Sequence, residues 1–99
     1  MIRVLPRNNP VSTTSVTTTL WDLPLHATAV LIGFEPTLAL PYRGRLQEYG
    51  FHVGEDISCQ HKPGFGAPRV YRVSNATYSL DRELAEQVLI RVTGGSAVG

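Results

Sequence analysis

The segment Pro41-Tyr42-Arg43-Gly44-Arg45-Leu46-Gln47-Glu48-Tyr49-Gly50-Phe51, near the middle of a 99-residue chain, carries both the signature of a helix and that of its end. Pro41 suits the first turn of a helix, where its missing N–H is no loss. Tyr42, Leu46 and Tyr49 follow at i, i+4 and i+7, one apolar stripe on a helix of about nine residues. Gly44 in the interior costs roughly 1 kcal/mol relative to alanine, so this helix depends on packing. Gly50 stands where a helix end wants a residue of positive φ, and Phe51 is then placed to pack back on Leu46. Tyr49-Gly50-Phe51 thus predicts a helix stop with a hydrophobic lock.

On both sides of this helix the pattern changes to that of strands. Ala27-Thr28-Ala29-Val30-Leu31-Ile32-Gly33-Phe34 is a β-rich run bounded by turn residues. Before it, Leu20-Trp21-Asp22-Leu23-Pro24 predicts a short turn that tucks Leu20 and Leu23 inward, since the residue before proline disfavours helix. After the helix, Ile57, Cys59 and His61 alternate with Ser58, Gln60 and Lys62, the period of a strand with one face inward. A turn around Pro63-Gly64-Phe65-Gly66 leads to a strand over 69–73, and Ser74-Asn75-Ala76 turns the chain into another over 77–80. Asp81 is placed to N-cap a short helix over 82–87, ahead of a last strand over 88–92. The expectation is a mainly β fold, a small barrel of about five strands that closes its own edges. One α-helix lies between strands 1 and 2, with a helical turn before the last strand.

Apolar residues make up 42% of the chain, enough for one compact core and no more. Residues 1–19, rich in Ser, Thr, Asn and Pro, predict a flexible leader, 20–92 the folded domain and 93–99 a flexible tail. Nine Lys plus Arg against eight Asp plus Glu give a net charge of +1, far from the excess that phosphate neutralisation requires, so nucleic acid is not the expected partner. The single cysteine, Cys59, forms no intramolecular disulfide, and neither a signal-peptide core nor a run of about 18 apolar residues is present. A cytoplasmic protein without direct membrane insertion is expected.

No residue pattern points to catalysis. A nucleophile needs a base and an orienting group, whereas this chain offers one cysteine, three scattered histidines and no phosphate-binding loop or G-x-S-x-G elbow. No cofactor, catalytic residue or metal ligand is assigned. Cys59 and His61 point to one side of a strand, but C-x-H is a short match, and a core cysteine with a strand-end histidine is the simpler account. The features that suit contact with another protein are Arg43, Arg45 and Glu48 on the polar side of the helix, Arg69, and above all Phe65, an apolar tip between glycines.

Across positions 20–92 the chain also resembles the FeoA family. The likeness rests on Leu20-Trp21-Asp22-Leu23-Pro24, on Arg43-Gly44-Arg45-Leu46-Gln47-Glu48-Tyr49-Gly50-Phe51, on Gly54-Glu55, on Pro68 and on Ser79-Leu80-Asp81-Arg82-Glu83-Leu84-Ala85. Val53, Asn75 and Asp81 depart from the family pattern; Asn75 is tolerable where glycine is usual because asparagine is at ease with positive φ. The resemblance implies an SH3-like barrel that serves as a cytoplasmic accessory of bacterial ferrous iron uptake, and a partner in FeoB, a membrane permease with its own GTPase domain. It leaves homo-oligomerisation open. The alternative is a small metal- or ligand-sensing SH3-like domain, of the sort found at the ends of metal-responsive repressors, although this chain has no helix-turn-helix.

Overall fold

The computed structural model describes residues 16–94. Six strands, β1 (Val16–Thr19), β2 (Thr28–Phe34), β3 (Asp56–His61), β4 (Arg69–Val73), β5 (Ala76–Leu80) and β6 (Val88–Gly94), form one antiparallel sheet in the order β1-β6-β2-β3-β4-β5. A 3-10 turn spans Leu20–Asp22, helix α1 spans Leu40–Tyr49 between β2 and β3, and a short α2, Arg82–Ala85, precedes β6.

Three expectations need correction. The sheet has six strands, not five: Val16–Thr19, placed in the leader, form β1 and pair with β6 from Val16↔Val92 to Thr19↔Leu89. Polar threonines hide this strand, yet Val and Thr are β-branched and favour a pleated surface. Here the Thr18 and Thr19 hydroxyls donate to Asp22 Oδ2 at 3.0 and 3.2 Å. Likewise Thr93 and Gly94, placed in the tail, complete β6. The remainder of the expected leader and tail, 1–15 and 95–99, lies outside the described residues.

The second correction is that the sheet does not close into a barrel. Among the described residues the edge strands β1 and β5 do not pair. Instead the Leu20–Asp22 turn is bound to β4 by side chains. The buried Tyr71 hydroxyl donates to the Leu20 carbonyl at 3.2 Å, and Arg69 donates to the Trp21 carbonyl. Leu20 and Leu23 are fully buried, as their inward tuck requires.

Third, β3 does not keep a strict period of two. Cys59 faces Tyr71 but His61 faces Val70, so the strand advances two residues while its partner advances one. This bulge re-aims the end of the strand. Ile57 and Cys59 enter the core, whereas His61 is exposed.

The helix stop forms as expected. Gly50 adopts φ 110°, its N–H reaches the Gln47 carbonyl at 3.1 Å, and the Phe51 N–H reaches the Leu46 carbonyl at 3.0 Å. Those 5→2 and 6→1 bonds are a Schellman motif. Phe51 and Leu46 are both buried in the one core cluster, together with Leu31, Ile57, Tyr71, Val88 and Ile90. Of the expected stripe only Leu46 is buried; Tyr42 remains half-exposed, and Tyr49 stacks on Tyr78 of β5 at 4.5 Å and 7°. The C-terminal end of helix α1 is therefore tied to the edge strand β5. At the other end of β5, Asp81 Oδ1 accepts the Leu84 N–H at 3.0 Å and caps α2 as expected.

Candidate functional site

The turn between β3 and β4 carries the most exposed large apolar side chain of the described residues. Phe65 is fully exposed and has φ 61°, with Gly66 next to it at φ 72°. A left-handed backbone costs an L-residue roughly 1–2 kcal/mol, and a bulky one is rare there. Full exposure means that no packing against the domain offsets that cost. The strained turn presents the ring to solvent.

The strand beyond the turn is held firmly. Arg69 opens β4 with its guanidinium 3.6 Å above the Trp21 ring and donates to the Trp21 carbonyl. Trp21 is almost wholly buried, so the cation–π contact and the hydrogen bond together staple the β3–β4 hairpin to the Leu20–Asp22 turn. Arg82 lies 5.9 Å from the same ring and pairs with Glu86 at 2.8 Å. This clamp spans 48 residues of chain, which is why no local signal announces it. Arg69, expected as a free contact residue, is committed to Trp21.

The helix supplies a second exposed surface. Arg43, Arg45 and Glu48 lie on its outer part, but residues two apart on a helix point to nearly opposite sides. Accordingly Arg43 lies 5.5 Å from the Phe34 ring of β2, whereas Arg45 lies 6.0 Å from the Tyr42 ring and faces the groove beside β5. Arg45 and Glu48, three apart, share a side; Arg43 does not. The helix residues and Phe65 are thus two separate features of the surface.

Between α1 and α2 lies a groove of about 310 Å³ lined by Ala39, Tyr42, Asp81, Glu83, Leu84 and Gln87. It continues past Tyr42 and Leu84 to Arg45 and Tyr49. The sequence hints at it only through the exposed half of the helix stripe.

Cys59 is buried, and its thiol donates to the His61 carbonyl at 3.7 Å. Burial pushes the thiol pKa up, with the nearby Arg69 and Lys62 charges opposing the shift. The Tyr71 phenol is raised strongly, first by burial and then by its proximity to Cys59, with Arg69 opposing. Both groups stay protonated at neutral pH, and a thiol is a poor ligand or nucleophile in that form. Among the described residues no three His, Cys, Asp or Glu side chains gather as a metal site. Nor is any described helix long and apolar enough to cross a membrane.

Together these features define a small antiparallel β domain with a flanking helix, whose distinctive groups lie on its surface. The FeoA domain model matches residues 18–92, and the chain belongs to the FeoA family, which is associated with ferrous iron transport. Among solved structures it is similar to the FeoA of Stenotrophomonas maltophilia, at 31% identity over 74% of this chain and 88% of that one, with a TM-score of 0.66. That protein is described as a zinc-complexed prokaryotic SH3 domain protein and candidate activating factor of bacterial ferrous iron transport. A FeoA-like protein from Clostridium acetobutylicum matches at 22% identity over 77% of this chain and 86% of that one, TM-score 0.67. The FeoA of Chlorobium tepidum matches at 18% over 80% and 73%, TM-score 0.71. No curated protein matches the chain.

Proposed function

We propose that this protein is a cytoplasmic, non-catalytic, SH3-like accessory of ferrous iron uptake that acts by protein contact with the cytoplasmic part of an FeoB-like permease. Membership of the FeoA family supports the pathway. The observation that carries the contact is Phe65: an aromatic ring in full solvent on a strained backbone brings the free protein nothing. Burying such a ring in a partner contributes about 1.5–3 kcal/mol. Arg45 and Glu48 on α1 form a second contact area, and Arg43 borders it from the side facing β2. Arg69 acts through Trp21, holding the hairpin that carries the tip.

The test is co-purification with the detergent-solubilised permease. Phe65→Ser and Arg45→Glu each weaken recovery while the circular dichroism melt stays unchanged. Recovery at wild-type level by the double variant would overturn the proposed surface.

A further inference from the structure

We propose that the turn over residues 62–68 is a wedge one aromatic ring wide, which seats Phe65 in a narrow apolar slot with a carboxylate rim on a protein partner. The proposal rests on the protein-contact reading above and specifies the chemistry of the surface that receives the tip.

The shape argument begins with the two glycines beside the ring. Gly66, at φ 72°, is required by its backbone. Gly64 is not: its φ is not positive, and a Cβ added there would meet nothing within 4 Å. The fold therefore tolerates a side chain at 64, and its absence leaves that flank of the ring open. With both flanks bare the ring stands alone, which is what entry into a slot demands and a flat surface does not. Docking costs little ordering, because the Arg69–Trp21 clamp holds one arm of the hairpin and the His26 N–H, bonded to the Cys59 carbonyl at 2.8 Å, holds the other.

The charge argument concerns the rim. Residues 61–69 include Lys62 and Arg69 and no Asp or Glu. The Arg69 guanidinium is engaged by Trp21, while Lys62 is exposed and has no ion pair among the described residues. A surface that accepts the ring to its base meets the Lys62 ammonium, and carboxylates there give complementarity.

The test places photoreactive p-azidophenylalanine, whose single ring is no wider than that of phenylalanine, at position 65 and cross-links in cells that hold the natural partners. The expected result is one discrete adduct, mapped by mass spectrometry to an apolar segment flanked by Asp or Glu. Gly64→Leu and Lys62→Glu each reduce its yield at least tenfold with no change in melting temperature. An adduct to such a segment of a protein other than the permease upholds the wedge and removes the permease from the account. The wedge is overturned by an adduct to lipid, to a second copy of this chain or to a segment without carboxylates. It is equally overturned by no adduct, or by a yield indifferent to Gly64→Leu.

Discussion

Replacing Gly50 with alanine tests the helix stop on which the domain is organised. At φ 110° an L-residue pays roughly 1–2 kcal/mol of backbone strain. The new Cβ would also stand 2.8 Å from Ser74 Oγ and 3.0 Å from Ser74 Cβ, closer than packed atoms approach. Relief requires Ser74 to move and its hydroxyl to give up its 3.3 Å bond to Glu55 Oε1. That bond is exposed, so its loss adds about 0.5 kcal/mol, the low end for a hydrogen bond. The total is about 1.5–2.5 kcal/mol, a fall of roughly 6–20 °C in melting temperature for a domain of this size. Urea unfolding followed by circular dichroism should show a lower midpoint at an unchanged m-value. Ser74→Gly removes the clash but also relieves the φ of 51° at position 74, so Gly50→Ala is compared with the Ser74→Gly single variant, where the strain at position 50 remains as the cost. A loss below about 0.5 kcal/mol in either background would refute the assignment of Gly50 as a conformationally required cap.

Gly44→Ala is expected to act in the opposite direction. A Cβ at 44 meets nothing within 4 Å and the residue sits inside α1, so the variant gains about 0.5–1 kcal/mol in the same unfolding assay. Alkaline pH supplies a separate test. Cys59 and Tyr71 have folded pKa values raised above their unfolded ones, so the native state keeps protons that the unfolded chain releases. Their contribution to stability is full below about pH 8 and declines above about pH 9–10, where the unfolded thiol and phenol ionise; Tyr71→Phe should flatten that decline, and an equal slope in both proteins would contradict the cause given. Anaerobic titration with ferrous iron should show no stoichiometric tight binding, because no three potential ligands gather among the described residues. A saturating site at micromolar iron would favour the metal-sensing alternative.

Legibility in the sequence follows the range of the interaction. The Gly50 stop, the Asp81 cap and the Ser74-Asn75 turn are written in residues adjacent to one another; Ser74 and Asn75 adopt φ 51° and 66°, as a two-residue hairpin requires. The periodic elements are readable to within a few residues for the same reason. Strand β1 escapes because Thr17, Thr18 and Thr19 look like solvated chain until β6 is known to lie beside them. The bulge after Cys59 escapes because alternation in β3 alone cannot show that β4 advances by one residue fewer, and a strict period aims His61 inward. Within the candidate site, Phe65 is legible from its glycine neighbours. Arg69 reads as free in the sequence, since its engagement with Trp21 is a tertiary fact. Arg43 and Arg45 do not share the one polar side expected of them, because a separation of two turns them apart.

Ferrous iron uptake tests the central claim most directly. Cells that hold the permease but lack this chain are complemented with the wild type or with Phe65→Ser/Arg45→Glu, each checked for abundance and folding, and anaerobic uptake is measured. The account predicts that the wild type restores uptake and that the equally abundant, folded double variant does not. Restoration of full uptake by that variant would contradict an accessory that works through this surface.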